Sequence, residues 1–436
     1  MRFWMLFLWL SLLTPVRADE AACLASPDQA CLLDLAAARA LAQEEVRDTV
    51  GDLLAIAVIE ERAGSGRADA TVRRLLDLLA AREPAGGKRI ELLSSGTAGV
   101  DMAGAPRLSA VLADLVSQTP TDDPTDRAKL EVGLRAIAGQ EDRVRQSIMD
   151  ADPGVRADIA LFAATGFMEA DAYASAYALG DLIGSDDFRA LLDRTAVILL
   201  LRGDRIDAAR IAAVTTADRD TRMMSLLLVA RALAEQGRSA EAQALVAAVD
   251  RLSGPASSQD YLPFAKAEVL ARLGQRDAAL QELARSPEGL IPPRRIGEVE
   301  ATAALVAGDV DEFLAVIARA ERPTEGGYWV KVAVLAAMQA GQGDLEPVFG
   351  RLSADHLPFA LNAFGLQQSR AGNVQTAQAT LSRLRSLGAV GNVHGDFRAA
   401  LARLMVRTGD MAEGVALAAE GGDPRLIAEL ATLLPE

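Results

Sequence analysis

The stretch ARLGQRDAALQELARSP, residues 271–287, decides the fold. Gly274 interrupts a run that otherwise has the composition and apolar spacing of a helix, and a small residue, Ala279, stands five positions later. One such break ends a helix and starts the next. A regular series of them predicts a chain of stacked helical pairs.

The same interruption recurs through the second half of the chain. Glycines end apolar helical runs at positions spaced 31 to 37 residues apart, namely Gly203, Gly237, Gly274, Gly308, Gly341, Gly372 and Gly409. Small residues stand at two fixed offsets from them: seven before, at Ala196, Ala230, Ala267, Ala301, Gly365 and Ala402, and five after, at Ala208, Ala242, Ala279, Ala377 and Gly414. At these offsets small side chains let two antiparallel helices approach closely beside the turn.

This pattern resembles the tetratricopeptide repeat, a helix, a tight turn and a second helix in about 34 residues. Sel1-type and HEAT-like solenoids are related alternatives. The resemblance covers roughly residues 185–420 and departs from the family at Phe313 and Glu346, where a small residue is expected. It implies an all-α, right-handed superhelical solenoid of antiparallel helix pairs, with a period of about 34 residues and a groove lined by the first helix of each pair.

The segments around the repeats divide the chain further. Residues 1–18, MRFWMLFLWLSLLTPVRA, predict a cleaved signal peptide, because an early arginine precedes an apolar run that ends at a proline. Residues 19–126 form an N-terminal helical region with an irregular loop after Glu83, residues 127–422 the repeats, and residues 423–436 a C-terminal capping helix begun by Asp423 and Pro424. No run reaches the roughly twenty apolar residues that span a bilayer, so no membrane span is expected after cleavage.

The two cysteines, Cys23 and Cys31, follow this leader directly. A continuous helix would hold them about 12 Å apart, beyond the roughly 7 Å that a disulfide bridges, but Pro27 and Asp28 allow a bend. An exported protein permits a disulfide here. A lipid anchor on Cys23 and a pair of redox-active thiols are the alternatives.

Charge and motifs exclude several functions. Loss of Arg2 and Arg17 with the leader takes the formal net charge from −15 to −17, which repels nucleic acid and anionic lipid. The sequence contains no zinc motif, phosphate-binding loop or G-x-S-x-G nucleophile elbow. We therefore expect no catalytic residue, metal or cofactor.

The resemblance implies partner contacts thirteen and ten residues before each turn glycine. In four successive units these positions hold Tyr261, Phe264, Arg295, Glu298, Tyr328, Lys331, Phe359 and Asn362. Aromatic anchors among polar contacts are typical of protein-binding surfaces. In the alternative interpretation Phe264 and Phe359, each beside a proline, fill gaps between neighbouring pairs.

Together these features predict an exported, non-enzymatic repeat scaffold that binds protein or peptide partners in a bacterial periplasm, for assembly of an envelope, secretion or motility structure. The alternative is a helical subunit that positions peptidoglycan for a separate cell-wall-processing domain. No lytic domain is recognisable in the chain, which favours the scaffold.

Overall fold

The computed structural model describes residues 20–83, 86–98, 100–121, 123–253, 260–389 and 395–434. The predicted signal peptide, residues 1–18, lies outside them. The described residues form α-helices and, within those ranges, no β-strand, so the predicted all-α class is confirmed. In the same ranges no helix has both the length and the apolar content needed to cross a membrane.

The helices follow one another closely along the chain, and a 3₁₀ turn at Met102–Gly104 separates the fourth from the fifth. In chain order they are α1 Gln29–Leu41, α2 Val46–Arg62, α3 Ala68–Arg82, α4 Gly86–Ala98, α5 Pro106–Gln118, α6 Pro124–Ile137, α7 Glu141–Asp150, α8 Arg156–Glu169, α9 Tyr173–Ile183, α10 Asp186–Arg202, α11 Ile206–Thr215, α12 Arg219–Glu235, α13 Ser239–Leu252, α14 Leu262–Arg272, α15 Arg276–Arg285, α16 Pro293–Val306, α17 Val310–Ala318, α18 Pro323–Gln339, α19 Glu346–Phe349, α20 Leu357–Arg370, α21 Val374–Ser386, α22 Gly395–Arg407, α23 Met411–Gly421 and α24 Pro424–Ala431.

The turn at Gly274 shows how the helices end. Gly274 has φ 70°, a left-handed conformation that glycine adopts without a Cβ penalty. Its N–H donates to the carbonyl of Ala271 at 3.1 Å, and the N–H of Gln275 donates to that of Leu270 at 3.0 Å. This paired arrangement satisfies carbonyls that the helix end leaves open. Helix α14 thus ends at the predicted turn, and α15 begins two residues later.

The first turn of the series differs in detail. Gly203 has φ −82°, and the following Asp204 takes the left-handed conformation with φ 56°. Aspartate is one of the few residues with a side chain that tolerates this region. The helix still ends there, but the residue that reverses the chain is the aspartate and not the predicted glycine.

The chain divides into two compact units, and the second unit runs from Ala176 to the last described residue before the gap at 390. Within it α10, α12, α14, α16 and α20 each pack against the helix that follows, and α10, α12, α14, α16, α18 and α20 pack side by side in that order. Most of the small residues predicted to permit close approach are buried, namely Ala196, Ala230, Ala242, Ala267, Ala279, Ala301 and Ala377, whereas Ala208 is half-buried. Phe313, which departs from the pattern, is also fully buried.

The first unit combines the two ends of the chain, the described residues up to Ser175 and those from Gly395 onward. A helix, α4, occupies much of the stretch predicted to be an irregular loop. Its Gly96 faces α2 so closely that a Cβ there would lie 2.9 Å from a methyl carbon of Leu54. The glycines of this stretch therefore include one that allows close packing within a helix.

The predicted disulfide between Cys23 and Cys31 is confirmed, with Cα atoms 5.7 Å apart. The chain bends between the two cysteines, after a short helical segment at residues 20–25. Asp28 then caps α1, because its carboxylate accepts the backbone N–H of Cys31 at 2.7 Å. The disulfide therefore fixes the start of the described chain to the first helix.

Candidate functional site

The predicted binding residues lie on neighbouring helices of the second unit. We call the side-by-side helices α12, α14, α16, α18 and α20 the first-helix row. Tyr261 immediately precedes α14, Arg295 lies in α16, Tyr328 in α18 and Phe359 in α20. The row therefore brings these positions onto consecutive, directly packed helices.

The aromatic residues of this row differ sharply in accessibility. Tyr261 is 42% exposed and Tyr328 is 46% exposed, whereas Phe264 has no exposed surface. The Phe264 ring packs edge-on against Tyr261, with centroids 5.2 Å apart. Half-buried Phe359 covers Gly327 of α18, where a Cβ would lie 2.6 Å from the ring. The tyrosines can reach a partner, while the two phenylalanines pack as the gap-filling interpretation expects.

The polar members of the row are also divided. Lys331 is half-buried, one turn after Tyr328 in α18. Asn362 is only 3% exposed, so its burial, like that of Phe264, prevents the direct partner contact predicted for both. Phe264 on α14 and Asn362 on α20 both stand ten residues before a turn glycine, and both face a neighbouring helix. The offset alone does not tell whether such a residue faces a neighbouring helix or solvent.

Beneath the exposed positions, six alternating charges form one network across α12, α14 and α16. Its members are Arg231, Glu235, Glu268, Arg272, Arg295 and Glu298, so its formal charge is zero. Glu268, Arg272 and Glu298 are 7%, 7% and 3% exposed. Buried ionic groups require such pairing, because an uncompensated charge inside a protein is costly.

The network combines ion pairs within α12 and α16 with ion pairs that join adjacent helices. Nε of Arg231 lies 2.9 Å from a carboxylate oxygen of Glu235, and Nε of Arg272 lies 3.1 Å from the same oxygen. Glu268 is shared by Arg231, at 3.6 Å, and Arg295. Each of these two carboxylates thereby bridges guanidinium groups from two helices and fixes their relative position.

Arg295 connects the network to the aromatic residues. Its guanidinium pairs with Glu268 and, at 3.1 Å, with Glu298, and its central carbon lies 5.6 Å from the Phe264 ring centroid. A guanidinium at this distance from a ring face is attracted by the ring's quadrupole. Arg295 was predicted to contact a partner, but in this structure its charge is already engaged within the row.

The pKa values of Arg231 and Arg272 are shifted in opposite directions. Burial disfavours the charged form of Arg231, but the carboxylates of Glu268 and Glu235 outweigh this effect and raise its pKa above the ordinary value. Burial together with the neighbouring charge of Arg231 lowers the pKa of Arg272. Arginine stays protonated in proteins, so both guanidinium groups remain cations within the network.

Sequence reasoning missed most of this network, although a signal was present. Arg231 and Glu268 each stand six residues before a turn glycine, and Glu235 and Arg272 each stand two before. Equal offsets place residues side by side on neighbouring first helices, so opposite charges at the same offset predict ion pairs. Comparing charges by their offset from the glycines would have found four of the six members.

Within the described residues no group of three or more histidine, cysteine, aspartate or glutamate side chains is placed to hold a metal ion. Searches of protein-family models and of curated proteins find no match to the chain. The first-helix row presents exposed aromatic rings, and buried ion pairs fix the helices beneath them. This arrangement is suited to binding.

Proposed function

We propose that this chain is an exported, non-enzymatic helical-repeat adaptor of the tetratricopeptide type that binds a protein or peptide partner in a bacterial periplasm. The first-helix row of the second unit is its binding face. The carrying observation is the exposure of Tyr261 and Tyr328, which stand at the same offset from the turn glycine in two repeats. The chain has only four tyrosines, and two of them lie at this row.

Physical chemistry supports tyrosine in this role. An exposed tyrosine supplies a large apolar face and a hydroxyl while losing little rotamer freedom, which is why tyrosine is enriched at protein interfaces. The ion-pair network holds α12, α14 and α16 in register beneath Tyr261. Such preorganisation reduces the ordering cost of binding. The sequence of residues 1–18 and the Cys23–Cys31 disulfide suit an exported protein in an oxidising compartment.

The test is in-cell cross-linking of the tagged chain, followed by affinity purification and mass spectrometry, with Tyr261→Ala/Tyr328→Ala as the variant. The matched control is Val374→Ala/Leu387→Ala, since these residues are 42% and 46% exposed but lie outside the row. We expect the tyrosine variant to lose a reproducible partner that the control retains, with both melting temperatures close to that of the parent. Retention of every partner by the tyrosine variant would refute the assignment of the face.

Incubation with purified cell-wall sacculi tests the non-enzymatic part of the proposal. We expect no soluble muropeptides from the purified chain. Their release would overturn the adaptor function in favour of a cell-wall enzyme, whatever the cross-linking result.

A further inference from the structure

A second candidate binding site lies in the first unit, at the meeting of the chain's two ends. Helix α24 packs mainly against α1, and also against α2, α22 and α23. We call the surface that α1 and α2 present to α24 the cradle. The residues in contact here are far apart in the chain, as the separation of 373 positions between Asp52 and Arg425 shows.

The apolar part of the contact is a single stripe. Leu426 is 3% exposed, and Ile427 and Leu430 are fully buried. These residues stand three, four and seven positions after the cap residue Asp423, which places them on one side of a two-turn helix. A helix of eight residues is not stable alone in water, so α24 depends on burying this stripe.

The polar part is one ion pair built into the cradle. Nε of Arg425 lies 2.5 Å from Oδ1 of Asp52, and Nε2 of Gln43 donates to Oδ2 at 2.8 Å. The Arg425 guanidinium passes over Gly51 so closely that a Cβ there would overlap Nη2. The absence of a side chain at Gly51 is therefore what admits the arginine.

Asp52 gives the cradle a chemical requirement. Its side chain is 9% exposed, and burial raises its pKa although Gln43 and Arg425 favour the ionised form. An occupant without a cation would leave this carboxylate buried and uncompensated, which is strongly unfavourable. The cradle thus fits a short helix that carries an arginine directly before an apolar stripe.

Helix α24 is attached in a way that allows it to leave. The Asp423 carboxylate accepts the N–H groups of Arg425 and Leu426, so the helix carries its own N-cap. Before it, Gly422 has φ 71°, stands in open space and follows another glycine. Two consecutive glycines form a pivot that can absorb a change in backbone direction.

The rest of the C-terminal segment has a separate anchor. Arg39 of α1 donates to the carbonyl of Ala419 in α23, one helix before α24. A second ion pair of α24 joins Glu429 to Arg403 of α22 through two parallel contacts of 2.7 and 2.6 Å, and these side chains are 47% and 30% exposed. Release of α24 must therefore break this solvent-accessible pair as well. Release of α24 does not require release of α23.

We propose that the cradle also accepts α24 of a second copy of this chain, so that two copies exchange their C-terminal helices. Every copy of the chain carries an α24 with the residues that fit the cradle, namely Arg425, Leu426, Ile427 and Leu430. The helix of a second copy can therefore make the same contacts. Exchange of an identical element preserves every contact and adds no new surface, which makes it a low-cost route to a dimer. This inference is independent of the proposed binding face in the second unit.

The experiment pairs two charge-reversed full-length variants, Asp52→Arg and Arg425→Asp. In each alone, α24 meets a like charge in its own cradle. When they are mixed and one copy of each variant exchanges its tail with the other, both pairings join opposite charges, Arg425 with Asp52 in one cradle and the substituted aspartate with the substituted arginine in the other. We expect each variant to be monomeric by sedimentation and the equimolar mixture to form a species of twice the mass, while the double variant Asp52→Arg/Arg425→Asp stays like the parent. A mixture that remains monomeric, with both variants folded by circular dichroism, overturns the proposal.

A second measurement tests the proposal without the charge-reversed variants, in case these variants misfold. A fluorescent peptide of residues 422–436 is titrated into the wild-type chain and into Arg425→Ala, whose own helix is weakened. We expect saturable binding that is tighter to Arg425→Ala, and a peptide carrying the same Arg425→Ala change to bind at least about tenfold more weakly. Absence of peptide binding to both proteins overturns the exchange.

Discussion

Replacement of Glu268 by glutamine tests the buried network beneath the proposed face. Glutamine has nearly the same shape but no charge, so Arg231 and Arg295 each lose a carboxylate while the helix geometry is kept. Breaking a fully buried pair costs about 3–5 kcal/mol. Here the guanidinium side chains keep 35% and 28% exposure and retain Glu235 and Glu298 as partners, which places the loss lower, at about 2–3 kcal/mol.

The matched control is Asp311→Asn, which also removes one negative charge but breaks only an exposed pair with Arg351, where the side chains are 84% and 50% exposed. We expect it to cost less than about 1 kcal/mol. Trp329, buried in the second unit, reports unfolding by its fluorescence in a chain expressed from residue 19, where it is the sole tryptophan. Glu268→Gln should lower the melting temperature by about 5–10 °C.

Salt separates a buried network from a surface effect. At 1 M NaCl the screening length is about 3 Å, and exposed pairs lose most of their attraction while buried pairs keep theirs. The deficit of Glu268→Gln should therefore persist at 1 M NaCl. If Glu268→Gln proved as stable as Asp311→Asn, or if its deficit vanished in salt, the network would not be what fixes α12, α14 and α16.

Two further predictions concern other buried positions. Burial raises the pKa of Glu60, against a smaller lowering by Thr71, so the folded state holds this proton more tightly than the unfolded state does. Stability is then highest below the ordinary value of 4.5 and falls as the pH rises through the raised pKa. Glu60→Gln should accordingly be more stable than the parent at pH 7 and equal to it below pH 4.5 in urea titrations; an unchanged pH dependence would contradict this. At Gly297 a Cβ would overlap the Trp329 ring, so Gly297→Ala should cost about 1–3 kcal/mol in urea unfolding, while Gly343→Ala, with open space around it, should cost far less. Equal midpoints for the two alanine variants would show that the ring moves aside freely.

The parts of the candidate site that depend on positions along one helix can be predicted from the sequence, whereas the parts that depend on contacts between helices cannot. The offsets to the turn glycines predict where Tyr261 and Tyr328 stand along the chain, because an offset fixes the position along a helix, and both side chains are exposed. It does not fix which side of the helix faces solvent. The groove interpretation therefore places Phe264 and Asn362 on the surface, whereas both are buried, and the burial of Phe264 agrees with the gap-filling alternative. The ion pairs of Glu268 depend on which helices become neighbours, and no single segment contains that information.

The sequence by itself predicted the all-α class, most of the helices, the turns at glycines such as Gly274, the Asp423 cap, and the Cys23–Cys31 bridge as one of three interpretations of the cysteines. These features depend on backbone conformations and hydrogen bonds among residues a few positions apart. Only the tertiary structure decided that Arg425 pairs with Asp52 and that α4 packs closely on α2 through Gly96. Those contacts join segments that are distant in the chain, and the burial that makes them strong exists only after the helices have packed together.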